Sequence, residues 1–272
     1  MHSNRKLITP FLVAGLLLAN LAPMGVFASD GGSTSGQDSI SGHTVKPADT
    51  PKVETNSFCN KFGTLNTSVK SNEEERVGKL NTKRGQETTK LATGRTKRDS
   101  DLAAARARAD ANRKEQYAKL EAKATTDAQK AAVKAFEATI DAAVVQRRAA
   151  VDAADKTYRD AVDALLASHK GQVDAAIASF KASLASAATA AQASCTAGTD
   201  SKTVRDTYKA AVAAAQASFK TAMQSVDNVG PQIKALNATR KAAVQAAIDA
   251  FKATAATAAA TLKAAFGEKT TP

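Results

Sequence analysis

Two cysteines, Cys59 and Cys195, are the residues of this chain with the clearest chemistry. In an exported chain, a pair of cysteines forms a disulfide more often than it remains two free thiols. The midpoint of the pair is residue 127, and residues 124–127 (ATTD) are the best helix-cap and turn sequence of that region. A hairpin that turns there brings both cysteines to the same height at its open end, so we expect a disulfide between Cys59 and Cys195.

Four aspartates with eleven-residue spacing invite interpretation as metal ligands. They are Asp141, Asp152, Asp163 and Asp174. On one helix this spacing separates neighbours by about 16 Å, which excludes a shared coordination sphere. Basic residues precede three of them by four positions, in the pairs Arg148–Asp152, Arg159–Asp163 and Lys170–Asp174. We therefore interpret these charges as pairs within one helix, each stabilising it by about 0.2–0.5 kcal/mol.

The three histidines offer no catalytic or metal-binding arrangement. His2 lies in a predicted signal peptide and His43 in a predicted linker. His169 occupies a repeat position that is filled elsewhere by Tyr158 and Phe180, which indicates a place in the seam between helices. The sequence also lacks a glycine-rich phosphate loop, a zinc-binding spacing and a nucleophile elbow. We predict that the protein is not an enzyme and has no catalytic residue, cofactor or metal site.

A cluster of basic residues marks the part of the predicted hairpin farthest from the cysteines. These residues are Arg95, Lys97, Arg98, Arg106, Arg108, Arg113 and Lys114. Five acidic residues of the same stretch partly neutralise them, namely Asp99, Asp101, Asp110, Glu115 and Glu121. Two interpretations stay open: a solvated charged face, and an anion-binding surface on a protruding two-helix finger.

An eleven-residue repeat defines the elements that position these side chains. It runs from Phe136 to Cys195 and returns at 208–229 and 240–266. Eleven residues make three helical turns, so the same repeat positions stay on one face of a helix. In the third block the apolar stripe consists of Tyr158, Ala161, Val162, Leu165 and Leu166. Upstream the period is thinner, through Phe58, Val69, Leu80, Leu91 and Leu102. The repeat predicts long helices with charges along one edge of an apolar seam.

We therefore predict an all-α fold. Its main element is a long antiparallel helical hairpin at 57–198, a hendecad, coiled-coil-like rod with its turn near 124–127 and a length of about 100 Å. Cap and break signals at 197–200 and 227–231 delimit two shorter C-terminal helices, which we expect to form a second hairpin at 199–267 and to pack at the base of the first. Residues 268–272 are predicted to be a disordered tail.

The N-terminus predicts export. Arg5 and Lys6 precede an apolar run at 7–22, and the small residues Val26 and Ala28 suit signal peptidase, so we assign residues 1–28 to a signal peptide. Polar residues and prolines interrupt the run, which disfavours an uncleaved membrane anchor. Residues 29–56 are rich in Gly, Ser, Thr and Pro and are predicted to be a disordered linker. We expect a secreted protein, extracellular, periplasmic or at the cell surface.

The chain is basic, and this limits its partners. Removal of the predicted signal peptide takes away two basic and no acidic residues and lowers the formal charge from +12 to +10. Such an excess suits anionic wall polymers, lipid head groups or phosphate backbones. Nucleic acid is disfavoured because the chain has three tyrosines, no tryptophan and no basic cluster interleaved with aromatic residues. We expect a protein or an anionic cell-wall polymer as partner, with a membrane surface as the alternative. The oligomeric state stays open.

The Ala-, Lys-, Thr- and Asp-rich repeats at 136–195 and 208–266 resemble those of late-embryogenesis-abundant proteins and, more loosely, of synucleins and exchangeable apolipoproteins. That resemblance implies a chain that is disordered until it is dried or bound to lipid. The paired cysteines, the phenylalanines of the stripe and the clear helix stops depart from it. The favoured hypothesis is an exported, non-enzymatic structural or adhesive helical rod of the bacterial cell envelope. The alternative is an amphipathic repeat protein that binds membrane surfaces or protects against stress.

Overall fold

The computed structural model describes residues 57–267, which form four α-helices and no strand. The helices are α1 (Ser57–Lys123), α2 (Asp127–Thr196), α3 (Ser201–Gln224) and α4 (Val229–Ala265). The predicted all-α class is confirmed. None of the described helices is long and apolar enough to cross a membrane. The predicted signal peptide (1–28), linker (29–56) and tail (268–272) lie outside the described residues.

A capping box closes the turn between α1 and α2. The Gln129 N–H donates to the hydroxyl oxygen of Thr126 at 3.2 Å, and Oε1 of Gln129 accepts from the Thr126 N–H at 3.2 Å and from the Thr125 N–H at 2.9 Å. Thr126 and Gln129 thus satisfy backbone groups that the first turn of α2 would leave unpaired. The turn occupies residues 124–126, within the stretch that the sequence indicated.

The glycine stop and helix cap predicted at 197–200 are present. Gly198 has φ 75°, a left-handed conformation that ends α2. The Thr199 N–H donates back to the Ser194 carbonyl at 3.1 Å. Asp200 then caps α3, since its carboxylate accepts from the Thr203 N–H at 2.9 Å.

The four helices contribute to two compact units. The first unit contains residues 57–81 of α1, residues 173–196 of α2, and α3. The second contains residues 82–123 of α1, residues 127–172 of α2, and α4. The helices α3 and α4 thus belong to different units, whereas the sequence led us to expect that they form one hairpin at 199–267.

Aromatic side chains form the core of the first unit. Phe62 of α1 is 2% exposed, and its ring meets that of Tyr208 of α3 edge to face, with 5.2 Å between the centroids. Phe58 packs against both rings. Small residues of α2, Ala187 and Ala188 among them, complete the cluster. The alanine-rich stripe of α2 is therefore covered by large side chains from the other two helices.

The disulfide lies beside this core and joins the start of α1 to the end of α2. Cys59 and Cys195 are bonded, with their Cα atoms 5.5 Å apart, so the predicted disulfide is confirmed. The buried hydroxyl of Ser201, the first residue of α3, accepts from the Phe58 N–H at 3.1 Å and from the Cys59 N–H at 3.4 Å. A side chain of α3 thus caps the N-terminus of α1.

In the second unit, α4 runs antiparallel to α2. Ile233 near the start of α4 packs against Val162, whereas Leu262 near its end packs against Val133. The cluster around Leu262 includes Ala124, at the end of α1. The C-terminal part of α4 therefore lies at the α1–α2 turn and not, as predicted, at the cysteine end. The expected two-helix finger at this turn is wrong, because α4 packs there as a third helix. The reason is that the apolar stripe of α2 needs cover along this stretch as well, and α4 supplies it.

Candidate functional site

Arginine–aspartate pairs join α1 to α2 within the second unit. Eight residues form four such pairs, and we call them the charge ladder: Arg95–Asp163, Arg159–Asp99, Arg106–Asp152 and Arg148–Asp110. In each pair both terminal guanidinium nitrogens donate, one to each carboxylate oxygen. The N···O distances for Arg95, Arg106 and Arg148 are 2.6–2.9 Å. This parallel geometry is the strongest form of the arginine–carboxylate interaction.

The ladder has the same motif on both helices. Arginine stands four positions before aspartate at 95–99 and 106–110 of α1 and at 148–152 and 159–163 of α2. The motif recurs after eleven residues on each helix. Because the helices are antiparallel, each of the four motif arginines meets an aspartate of the other helix, and the residue numbers of each pair add to 258.

The interpretation of Arg148–Asp152 and Arg159–Asp163 as pairs within α2 is wrong. Each of these residues pairs with α1 instead. An arginine that precedes an aspartate by four positions is in the weaker order for a pair within one helix. Across two helices the same side chains reach the bidentate geometry in partly buried positions, with Arg148 only 23% exposed.

Asp110 is the most strongly bound carboxylate of the ladder. It accepts from Arg148 and also from Nη1 of Arg113, one turn along α1, at 2.8 Å. These hydrogen bonds, that of Arg148 first, lower the pKa of Asp110 from 3.8 to about 2. Arg113 also donates through Nε to Asp141 of α2 at 2.7 Å, so it links the ladder to a further aspartate.

The other three ladder carboxylates are held ionised in the same way. The pKa of Asp99, of Asp152 and of Asp163 is lowered, and in each case the largest cause is the hydrogen bond from the arginine with which it pairs. The same hydrogen bonds raise the pKa of the partner arginines. Both members of each pair therefore stay charged across the neutral range.

Tyr117 extends this interface toward the turn. Its hydroxyl donates to Asp141 at 3.2 Å, and its ring meets that of Phe136 edge to face with 6.3 Å between centroids. Burial raises the pKa of Tyr117 to about 12, and the charge of Asp141 adds to the effect. The tyrosine therefore remains a neutral hydrogen-bond donor.

Arginine also joins α4 to α2. Nε of Arg240 donates to Asp155, and the guanidinium group of Arg240 lies 5.5 Å from the centroid of the Tyr158 ring. In the opposite sense, Arg147 of α2 lies 4.4 Å from the centroid of the Phe251 ring of α4. These contacts combine charge pairing with attraction between a cation and an aromatic face.

The seven basic residues predicted to form a finger surface have different surroundings. Arg95, Arg106 and Arg113 pair with aspartates of α2. Lys97 pairs with Asp101 on its own helix at 3.2 Å. The remaining three, Arg98, Arg108 and Lys114, are exposed. Three of the seven thus bind helix to helix, and the basic surface left for an anion is smaller than the sequence implied.

One depression, of about 280 Å³, lies beside the charge ladder. The charged residues that line it are Asp99, Asp152, Asp155, Lys156, Arg159 and Asp160. All six take part in ion pairs, either with one another or with an arginine of a neighbouring helix. Each charge at this place is thus already neutralised by the protein itself.

Sequence reasoning missed the pairing of α1 with α2 in the charge ladder and the cap of α1. Asp99 and Asp110 were counted only as acids that partly neutralise the finger. The matching motifs at 95–110 of α1 and at 148–163 of α2 are the signal that could have suggested pairing between the helices. Ser201 carries no such signal, because its contact with Phe58 joins residues 143 positions apart.

The described residues thus contain an ion-paired interface between helices, and among them no group of side chains is arranged to hold a metal ion. The interface joins the helices by charge pairing and by aromatic contacts. Comparison of the chain with protein-family models, with curated proteins and with solved structures finds no match.

Proposed function

We propose that the chain is an exported, non-enzymatic structural or adhesive protein of the bacterial cell envelope, which acts through protein or anionic wall-polymer contacts on its helix surfaces. The observation that carries the proposal is the Cys59–Cys195 disulfide. Disulfides persist in oxidising compartments outside the cytoplasm. The basic and apolar N-terminal sequence supports the same location.

The proposal includes a hendecad, coiled-coil-like pairing of α1 with α2. The four pairs of the charge ladder support it, because they recur at eleven-residue intervals on both helices. Charges beside an apolar seam fix which faces of two helices meet. Such a pairing suits a protein that has to keep a long surface in one conformation.

Burial of the apolar stripe favours this proposal over the membrane or stress-protection alternative. Val144, Val162, Val173 and Leu184 of α2 are between 3% and 8% exposed. These residues would have to face acyl chains if the stripe bound lipid. Instead, α4 of the same chain covers Val144 and Val162, through Ala258 and Ile233.

Export is tested first, with the full chain expressed in a bacterial host. We expect the protein outside the cytoplasm, a mature N-terminus at Ser29, and a shift in mobility on a denaturing gel when the disulfide is reduced. Cytoplasmic protein with free thiols would contradict the proposal. Vesicles of anionic phospholipid provide the control for the alternative, since lipid-induced helix formation would favour the membrane function.

The contact surface is tested with purified cell-wall fragments, before and after extraction of their anionic polymer. We expect the protein to bind the intact fragments and to lose binding after extraction if the polymer is the partner. The variant Arg98→Gln/Arg108→Gln/Lys114→Gln tests the three exposed members of the basic cluster on α1. Three exposed lysines of α4 provide a control of equal charge, Lys234→Gln/Lys241→Gln/Lys263→Gln. Equal loss of binding in both variants would argue against a contact specific to the basic cluster on α1.

A further inference from the structure

The charge ladder fits more than one register of α1 against α2, because its motif repeats on both helices. The observed pairs have residue numbers that add to 258. If α1 slides along α2 by one eleven-residue repeat, the residue numbers of facing positions add to 269. Opposite charges then meet again. The pairs would then be Arg106–Asp163, Asp110–Arg159, Asp99–Lys170 and Glu121–Arg148. The charges alone therefore do not distinguish these two registers.

A slide in the opposite direction is less favourable. In that register the residue numbers of facing positions add to 247, so Arg95 would meet Asp152, and Asp99 would meet Arg148. Arg106 would also meet Asp141. Asp110, however, would exchange its pair with Arg148 for contact with Glu137, and two carboxylates in contact repel each other. The repeat thus permits one alternative register better than the other.

Residues at the α1–α2 turn do not follow the charge repeat, so their contacts differ between the observed register and the second one. In the register in which facing residue numbers add to 269, the midpoint of the hairpin lies half a repeat farther along the chain, inside α2. This movement would open the capping box of Thr126 and Gln129. It would also bring Val133, which is 1% exposed and packs with Leu262, into the turn. Both changes cost stability, one through unpaired backbone groups and the other through lost burial.

We propose that the α1–α2 pair has a second, charge-matched register one repeat away, and that Val133 and the Thr126–Gln129 capping box hold the chain in the observed register. The ladder determines the antiparallel direction and the faces that meet. The turn determines the register. Cys59–Cys195 joins the same two helices, so the shift requires the disulfide to be open.

Engineered disulfides distinguish the two registers in a Cys59→Ser/Cys195→Ser background. Ala103 lies 44 residues, or four repeats, after Cys59 on α1. Val151 lies 44 residues before Cys195 on α2. The pair Ala103→Cys/Val151→Cys therefore reports the observed register. In the pair Lys114→Cys/Val151→Cys, the position on α1 is one repeat farther along the helix, so this pair reports the second register. Both are scored by the cross-linked fraction after mild oxidation, with intramolecular bonds separated from intermolecular ones by mass.

With the native turn, we expect the first pair to cross-link and the second pair to cross-link only at a low background level. The open-turn variant Thr126→Ala/Gln129→Ala/Val133→Gly should raise cross-linking of the second pair by about tenfold. The chain should stay helical by circular dichroism, because the substitutions affect only the turn and the first turns of α2.

A charge reversal in the open-turn variant tests whether the ladder stabilises the second register. Glu121→Lys should remove the gain, because the introduced lysine would face Arg148 in the second register and Glu137 in the observed one. The exposed site Asp101 provides a matched control, and Asp101→Lys should leave the gain unchanged. Equal effects of the two reversals would overturn the charge-matched pairing.

The second register is overturned if the open-turn chain remains helical and its Lys114→Cys/Val151→Cys pair cross-links no more than with the native turn. Selection by the turn is overturned if the second pair already cross-links as well as the first with the native turn. If the triple substitution abolishes helicity, the double variant Thr126→Ala/Gln129→Ala replaces it. A gain in the second pair there supports the proposal, and no gain overturns it.

Discussion

Arg148 of α2 and Asp110 of α1 are joined by two parallel hydrogen bonds of 2.9 and 2.6 Å, although they stand 38 residues apart in the chain. Arg113 donates to the same carboxylate at 2.8 Å. Asp110 therefore neutralises part of two guanidinium groups and joins both helices of the pair. The strength of the α1–α2 interface should depend on this carboxylate remaining ionised.

Acid should weaken the fold through Asp110. Its pKa is lowered from 3.8 to about 2 in the folded chain, so its contribution to stability is fully present above the unfolded value and is lost as pH falls through the folded one. We expect the melting temperature to fall between about pH 4 and pH 2, and Asp110→Asn to reduce that fall. Thermal melts of the parent and of the variant from about pH 5 to about pH 1.5 measure the fall in melting temperature. Asp101→Asn, at an exposed site paired within α1, is the control, and an equal effect there would refute the assignment.

Pairs between the helices should be stronger than pairs within one helix. A double-mutant cycle with Arg106→Ala and Asp152→Ala is expected to give a coupling free energy of about 0.5–1 kcal/mol, because Arg106 is only 26% exposed and binds in a bidentate manner. The same cycle for Lys97 and Asp101, which are 75% and 66% exposed, should give about 0.3 kcal/mol. Urea unfolding measures both cycles. Equal values would mean that the ladder has no special role in helix pairing.

The disulfide should be a major source of stability in the first unit. Cys59 and Cys195 stand 136 positions apart, and a cross-link over a loop of this length stabilises by up to about 4–5 kcal/mol in the chain-entropy description. Cys59→Ser/Cys195→Ser should lower the urea midpoint and leave the helical signal in buffer largely intact. The parent protein in reductant should match the variant. If reductant leaves the parent unchanged, the disulfide contributes little.

Ser201 should matter more than its size suggests. Ser201→Ala removes the acceptor of the Phe58 and Cys59 N–H groups at a site that is 6% exposed, so we expect a loss of about 1–2 kcal/mol in the free energy of unfolding. The control is Ser68→Ala in α1, where an exposed hydroxyl only bonds back to the Thr64 carbonyl. That change should be within about 0.5 kcal/mol of neutral. A similar loss at both sites would argue against capping by Ser201.

Two glycines should respond to alanine in opposite directions. Gly94 lies inside α1, and a Cβ atom placed there meets nothing within 4 Å, so Gly94→Ala should stabilise by about 1 kcal/mol. Gly198 also has open space but adopts φ 75°, so Gly198→Ala should destabilise by about 1 kcal/mol. Urea unfolding of the two variants measures both signs. A gain at both positions would show that Gly198 is not needed to end α2.

The sequence alone determined the elements that depend on short stretches of chain. Apolar residues at eleven-residue spacing predict helices, and the turn at 124–126 and the glycine stop at Gly198 follow from the chemistry of caps and of positive φ. The disulfide was also predictable, because the positions of two cysteines about a central turn are a matter of counting residues along two helices.

Tertiary structure alone decided the partners of the charges and the place of α4. Arg148 has Asp152 within reach on its own helix, in the weaker order for such a pair, and Asp110 across the interface. This small local preference does not determine the partner. The choice depends on how close two helices come and on how much water their contact excludes, which are properties of the packed helices. The position of α4 was undetermined for the same reason, since its apolar face can cover any part of a repeating stripe. Only the match of particular side chains, such as Leu262 with Val133, selects one place.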